Sequence, residues 1–92
     1  MPELLSDEEI EAQLPDGWDR EGDEITRTFE FDDYLDGIGF AGGVGGLAEE
    51  AFHHPELIIG WCEVEVRFTT HSEGGITDYD VDLAERVNDI YE

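Results

Sequence analysis

Hydrophobic and polar residues alternate with a period of two along two stretches of the chain, which predicts two β-strands. In the first stretch, 24–31, Arg27 interrupts the apolar side, so we expect it to lie at an edge and to extend its guanidinium towards water. The second stretch is 62–70. The residues expected to face the interior are Ile25, Phe29 and Phe31 in the first strand and Cys62, Val64, Val66 and Phe68 in the second.

Helix-capping patterns mark the beginnings of a first and a last helix. Ser6 followed by Glu9 forms a capping box, in which each side chain accepts a hydrogen bond from the other residue's backbone N–H, and Pro15 ends this helix. Thr77 and Asp80 repeat the spacing before the last helix, so capping alone is enough to explain Asp80. Apolar residues then recur at helical spacing and predict a buried stripe of Leu83, Ala84, Val87, Ile90 and Tyr91.

A glycine-rich segment also has the apolar spacing of a helix. Asp32 and Asp33 cap it and Pro55 closes it, although six glycines lie within 37–46 and each costs about 1 kcal/mol relative to alanine in a helix interior. We expect the glycines to permit close backbone approach to the sheet or to another subunit. Residues 37–42 also match G-x-G-x-x-G, but a dinucleotide site needs that motif between a strand and a helix of a parallel βαβ unit. The apolar positions are Phe40, Val44, Leu47 and Ala51.

Two shorter strands complete the predicted fold. Residues 17–21 form a hairpin with 24–31, and residues 57–59 form a strand that ends at Gly60. The element order α-β-β-α-β-β-α predicts an α+β fold, with a four-stranded antiparallel sheet and three helices packed on one face. A length of 92 residues is typical of one domain, so we expect a single domain over 1–92.

The charge of the chain indicates the surroundings that it is suited to. There are 26 Asp and Glu residues against four Arg and no Lys, and the formal net charge is −22. Such a surface suits a high-salt cytoplasm, in which counterions screen the repulsion. It argues against nucleic acid and anionic membranes as partners, because both bind clustered basic residues. The lone Cys62, and the lack of a signal peptide or a long apolar run in the sequence, predict a cytoplasmic protein.

Every histidine of the chain lies in the stretch 49–80, which runs from the end of the second helix to the start of the third. Imidazole titrates near neutrality, so His53, His54 and His71 could together take a proton from one atom of a substrate and donate one to another. Glu49 lies one helical turn before His53 and could orient it. Two other interpretations remain open. A zinc site with Cys62 would lack the usual C-x-x-C or H-x-x-x-H spacing, and histidines also occur simply as helix ends.

The histidines belong to a longer ordered pattern. An acidic residue is followed after three residues by His-His-Pro, and then by an aromatic residue, a third histidine and an aspartate. These residues are Glu49, His53, His54, Pro55, Trp61, His71 and Asp80. The pattern resembles the signature of the pterin-4a-carbinolamine dehydratases. The similarity extends over nearly the whole chain and includes L-S-D-E-E-I at 5–10 and T-H-S-E-G-G-I-T-D-Y-D at 70–80.

The resemblance implies a hydro-lyase. Members of the family remove water from a 4a-hydroxytetrahydropterin to give a quinonoid dihydropterin, a step in tetrahydrobiopterin recycling. It implies a histidine acid/base mechanism without metal or other cofactor, and a homo-oligomer, either a dimer or a tetramer. His53, His54 and His71 would be the catalytic set. The residues implied to border or support the pterin are Trp18, Glu49, Phe52, Thr69, Thr70, Ser72 and Asp80.

Two departures from the family pattern keep other functions open. Tyr79 stands where an Arg is common, and Phe52 stands where a polar residue often precedes the histidine pair. A non-catalytic module that binds pterin or another protein would share this fold. A role in another pterin pathway, such as molybdopterin metabolism, would share it as well.

The acidic composition generates a first prediction. With a net charge of −22 on 92 residues, the melting temperature should rise strongly between dilute buffer and molar KCl, because salt screens the repulsion within the folded chain. Thermal unfolding monitored by circular dichroism measures this. A melting temperature that does not change with KCl would contradict the interpretation of a salt-adapted surface.

Overall fold

The computed structural model describes residues 2–91 and shows three α-helices and four β-strands there in the predicted order. Met1 and Glu92, the ends of the predicted domain, lie outside the described residues. No helix within 2–91 is long and apolar enough to cross a membrane. The elements are α1 (Asp7–Gln13), β1 (Asp19–Glu21), β2 (Glu24–Glu30), α2 (Tyr34–Ala51), β3 (Glu56–Ile59), β4 (Glu63–Phe68) and α3 (Asp78–Tyr91), with a short 3₁₀ turn (His71–Glu73) before α3.

The strands form one antiparallel sheet in the order β1-β2-β4-β3, which confirms the predicted α+β fold. The alternation in β2 and β4 is confirmed too, because their apolar residues lie opposite one another on the face that the helices cover. Side chains of the helices and the sheet therefore bury one common core. Its larger members are Ile10, Ile25, Phe29, Phe40, Val44, Val64, Val66, Phe68, Ile76, Leu83 and Val87.

The first two helices begin at their predicted caps. Ser6 Oγ accepts the Glu9 N–H at 3.1 Å and Glu9 Oε1 accepts the Ser6 N–H at 2.8 Å, so the capping box of α1 is complete. Asp33 accepts the N–H of Asp36 at 2.8 Å at the start of α2. These bonds pair backbone donors that a helix leaves free at its first turn, which is why capping patterns locate helix starts well.

The glycine-rich helix α2 is confirmed, and close approach to the sheet explains only part of its glycine content. A Cβ at Gly37 would lie 3.4 Å from Val64 Cγ2 and 3.5 Å from the ring of Phe31, so the helix lies close against β4 at this point. Four other glycines of α2 have open space where a Cβ would be. They are Gly39, Gly42, Gly45 and Gly46.

Ile90 is a correction to the predicted buried stripe of α3. Leu83, Ala84 and Val87 are buried as expected, whereas Ile90 remains 43% exposed. Its neighbour on α2 is Gly43, where a Cβ would lie 3.7 Å from Ile90 Cγ2. Because Gly43 has no side chain, α2 leaves this part of α3 uncovered.

Tyr91 ends the stripe in a different way. Its ring packs 4.9 Å from the ring of Phe29, measured between centroids, while its hydroxyl reaches the surface and donates to the Glu30 carbonyl at 2.9 Å. The ring of Tyr91 thus packs against the core, while its polar hydroxyl lies at the end of β2.

Arg27 is half-buried and is held by protein groups, although water was expected around its guanidinium. It lies just past the part of β2 that β1 covers, so the expected edge position is correct. The guanidinium lies 4.4 Å above the Phe29 ring and donates to Asn88 Oδ1 at 2.7 Å and to the Asp16 carbonyl at 3.0 Å. A cation over an aromatic face is attracted by the ring quadrupole, so Arg27 helps to attach α3 to the sheet.

Arg67 lies on the opposite face of the sheet, as its place in the alternation predicts. Its guanidinium donates to Glu21 Oε1 at 2.7 Å, to Glu24 Oε1 at 3.0 Å and to Glu65. These carboxylates, Glu21 foremost, raise the pKa of Arg67 above its usual value. One arginine therefore links β1, β2 and β4 and neutralises part of the acidic surface.

Candidate active site

The end of α2 positions the histidine pair. The helix ends at Ala51, because Phe52 adopts the left-handed conformation with φ 52° and ψ 46°; Pro55 was expected to end it and lies further along the chain. The N–H of His53 bonds back to the Ala48 carbonyl at 3.0 Å. A left-handed residue reverses the chain direction here and turns His53 back towards α3. Such a conformation costs about 1–2 kcal/mol for a residue with a side chain.

His53 is paired with a buried carboxylate. Its Nε2 lies 2.6 Å from Asp80 Oδ1; the imidazole is 13% exposed and the Asp80 side chain is 0% exposed. The Phe68 ring is nearly parallel to the imidazole at 6.1 Å between centroids, and the Tyr79 ring is edge-on at 5.9 Å. Because an ionised carboxylate only accepts hydrogen bonds, the pair assigns a proton to Nε2 and leaves Nδ1 of the neutral ring as the proton acceptor.

Asp80 is held from several sides. Its Oδ2 accepts the N–H of Thr77 at 2.8 Å, which is the expected capping contact, and also the hydroxyl of Thr70 at 2.8 Å. Thr77 and Thr70 are both buried. The same carboxylate therefore starts α3, binds the end of β4 and orients His53.

Glu49 pairs with a different histidine from the one expected. Its Oε2 lies 2.5 Å from His54 Nε2, whereas His53 is bound to Asp80. The prediction that Glu49 orients His53 assumed a continuous helix. Since Phe52 breaks the helix, His53 is turned away from Glu49, and His54 pairs with Glu49 instead. Both partners of this second pair are exposed, so water screens their attraction.

A cavity of about 230 Å³ opens beside His53, between the end of α2 and α3. Tyr79, Leu83 and Arg86 form one side of it, and they lie on one face of α3 because they are four, then three, residues apart. Tyr79 stood out in the sequence and Leu83 was predicted only as a core residue, whereas Arg86 was missed; helical spacing from Tyr79 was the available signal. The lining residues are Ala51, His53, Tyr79, Asp82, Leu83 and Arg86.

His71 and its neighbours flank Thr70, whose hydroxyl binds the second oxygen of Asp80. His71 is exposed and begins the 3₁₀ turn that follows β4. The Thr69 hydroxyl donates to the Asp23 carbonyl at 2.6 Å, and Ser72 is exposed. Neither His71 nor His54 lines the cavity beside His53.

Trp18 and Trp61 lie apart from the histidines. The Trp18 indole is buried in the core, where its N–H donates to Asn88 Oδ1 at 2.8 Å and its ring lies 5.8 Å from the Phe68 ring. Its link to His53 is indirect, because the Phe68 ring packs near both. Trp61 is exposed at the turn between β3 and β4.

The described residues hold no group of side chains suited to the alternative of a metal site. Within residues 2–91, no three side chains of His, Cys, Asp or Glu come together as a metal ion would require. Cys62 is half-buried, a residue before β4, with its Sγ 4.0 Å from the Asp32 carbonyl oxygen.

The fold and the site define the class of protein: a small α+β domain in which a histidine is paired with a buried carboxylate beside a cavity. A family model described as pterin 4 alpha carbinolamine dehydratase matches residues 3–90. A protein of the halophilic archaeon Natronomonas pharaonis is 66% identical over 92 residues, which cover 100% of both chains, and it carries a provisional name as pterin-4-alpha-carbinolamine dehydratase. The chain therefore belongs to the pterin carbinolamine dehydratase family, which confirms the resemblance seen in the sequence.

Solved structures agree with this placement. A protein from Brucella melitensis described as a transcriptional coactivator/pterin dehydratase is 34% identical, with a TM-score of 0.89 over 96% of this chain and 98% of its own. A pterin dehydratase-like protein described as a RuBisCO assembly factor of the alpha-carboxysome shares the fold, with a TM-score of 0.66 and 20% identity over 80% of this chain and 86% of its own. The second likeness shows the fold alone.

The contacts of Asp80 generate a prediction about stability. Asp80→Ala removes an acceptor and leaves donors of Thr70, Thr77 and His53 unpaired in a buried region, so the free energy of unfolding should fall by about 2–4 kcal/mol. Asp78→Ala removes the same charge from the same helix turn at an exposed position and should cost about 1 kcal/mol or less. Denaturant unfolding in molar KCl measures both. Similar losses in the two variants would show that the buried contacts of Asp80 do not stabilise the fold.

Proposed function

We propose that this protein is a hydro-lyase that converts a 4a-hydroxytetrahydropterin into a quinonoid dihydropterin, as in tetrahydrobiopterin recycling. The observation that carries the proposal is the buried His53–Asp80 pair beside a cavity, in a chain that belongs to the dehydratase family. The reaction breaks the C4a–O bond and forms a C4a–N5 double bond. The N5 proton and the hydroxyl group leave the substrate, so the site must accept one proton and donate another.

His53 is our candidate for the proton acceptor. With Nε2 bonded to Asp80, its Nδ1 is free to accept a proton, and the negative charge of Asp80 stabilises the imidazolium that results. The proton that makes the hydroxyl a good leaving group then comes from His54 or His71, which are exposed and can exchange protons with water. Two such transfers balance the reaction without metal or other cofactor.

The positions of the neighbouring side chains support the substrate contacts that we propose. Tyr79 and Leu83 present an aromatic and an apolar surface to the cavity, which suits a flat pterin ring. Phe52, with 85% of its surface exposed and its ring 5.6 Å from the His54 ring, would border the pterin on the outer side together with Thr69 and Ser72. Glu49 acts through His54, and Trp18 supports the site through Phe68.

We further propose that the protein is a cytoplasmic homo-oligomer, a dimer or a tetramer, with no nucleic-acid partner. β3 is an edge strand, and the apolar side chains of Ile58 and Ile59 on it are exposed, as are Leu35 on α2 and Trp61. An uncovered strand edge with apolar side chains is a surface that proteins usually cover. Light scattering in molar KCl should therefore give two or four times the 10.4 kDa mass of one chain. A mass of one chain would contradict the oligomer.

The histidine mechanism generates a prediction about activity. Replacing His53, His54 and His71 together by Ala should reduce the dehydration of a 4a-hydroxytetrahydropterin to its spontaneous rate, and His53→Ala alone should lower kcat by about 100-fold or more. Glu56→Gln on β3 is an exposed control that should keep full activity. Stopped-flow absorbance in molar KCl measures the rates, and circular dichroism checks that each variant folds. Full activity of the triple variant would overturn the assigned roles.

A non-catalytic module is the second candidate, because Tyr79 and Phe52 depart from the family pattern and a protein of the same fold is described as a RuBisCO assembly factor. Calorimetry separates the two candidates. Pterin binding by the wild-type protein without any acceleration of dehydration would favour the module. Acceleration with one pterin and not with others would distinguish tetrahydrobiopterin recycling from another pterin pathway, such as molybdopterin metabolism.

A further inference from the structure

Thr70 occupies a junction between β4, the turn that carries His71, and α3. Its side chain is buried, with 5% of the residue exposed. The N–H of Thr70 donates to the Gly75 carbonyl at 2.9 Å, and its carbonyl accepts the N–H groups of Glu73 and Gly74 at 3.0 Å. The backbone of Thr70 therefore closes the turn at both ends.

The hydroxyl of Thr70 has two neighbours, and their chemistry assigns the direction of each hydrogen bond. Asp80 Oδ2, at 2.8 Å, can only accept, so the single hydroxyl proton of Thr70 goes to Asp80. Thr77 Oγ1, also at 2.8 Å, must then donate to Thr70 Oγ1, and it accepts the Tyr79 N–H at 3.3 Å in turn. A directed chain runs from Tyr79 N–H through Thr77 and Thr70 to the carboxylate.

Both oxygens of Asp80 are thereby assigned. Oδ2 accepts from Thr70 and from the Thr77 N–H, while Oδ1 faces His53 Nε2. Rotation of the carboxylate would break bonds at both oxygens in a region without water access. The position of Oδ1, and with it the tautomer of His53, thus depends on the donors at Oδ2.

We propose that Thr70 is a positioning residue. It holds Asp80 so that Oδ1 keeps the proton on His53 Nε2, and its backbone ties the turn that carries His71 to the same carboxylate. This inference rests on the proposed roles of His53 and His71. It replaces the expectation that Thr70 contacts the pterin, because its hydroxyl is buried and already bonded on both sides.

Two substitutions separate the hydroxyl from the rest of the side chain. Thr70→Val keeps the shape and removes the donor to Asp80, while Thr70→Ser keeps the donor and removes a methyl group. Thr26→Val is the matched control, since Thr26 is also buried but lies on β2, outside the chain of hydroxyls. We expect Thr70→Val to lower kcat about tenfold or more with KM changed by no more than about twofold, and Thr70→Ser and Thr26→Val to stay within about threefold of wild type.

Nitrogen-15 spectra of the histidine rings give a readout that does not depend on activity. In the neutral form of the His53 ring in the wild-type protein, Nε2 should carry the proton and Nδ1 should not. Thr70→Val should give a mixture of the two tautomers, and Thr70→Ser should restore the wild-type signals. These shifts are expected even if the protein does not dehydrate pterins, so failure of the proposed function and failure of this inference can be told apart.

Two results would overturn the inference. One is a folded Thr70→Val protein with unchanged kcat and unchanged His53 signals; the other is a rise in KM at constant kcat, which would place Thr70 in contact with substrate. If Thr70→Val does not fold, the wild-type spectrum decides. A His53 ring without a proton on Nε2 would contradict the directed chain.

Discussion

The buried carboxylate of Asp80 is the interaction on which both the fold and the site depend. A carboxylate removed from water costs several kcal/mol unless hydrogen bonds replace its hydration. Here the Thr77 N–H, the Thr70 hydroxyl and His53 Nε2 supply those bonds. They come from the start of α3, the end of β4 and the segment after α2. One charge therefore joins three chain segments, and the proton on His53 follows from the same geometry.

The setting of this carboxylate contrasts with the rest of the acidic chain. The exposed Asp and Glu side chains keep their hydration, and dissolved salt screens the repulsion between them. Two of the four arginines connect elements of the fold: Arg67 links three strands, and Arg27 packs on Phe29 and binds Asn88. Among the acidic residues within 2–91, Asp80 alone is fully enclosed, and its negative charge acts on a histidine instead of on solvent.

Local signals predicted most of the fold because each depends on residues a few positions apart. Ser6 and Glu9 located α1, Asp33 located α2, and alternation located β2 and β4. The errors occurred where a distant neighbour decided the outcome. Ile90 is exposed because Gly43 of α2 offers no cover. Glu49 meets His54 because the distant Asp80 binds His53 and Phe52 breaks the helix between them. Arg86, which lines the cavity, was missed although its helical spacing from Tyr79 was a local signal.

The sequence by itself determined the order of the elements, the family and the stretch that holds the three histidines, since these are properties of spacing along the chain. Only the tertiary structure decided which carboxylate meets which histidine. It pairs His53 with Asp80, 27 residues away, and leaves Glu49 for His54. The reason is physical: hydrogen-bond partners are chosen by distance and direction in space, and a single left-handed residue at Phe52 changes both.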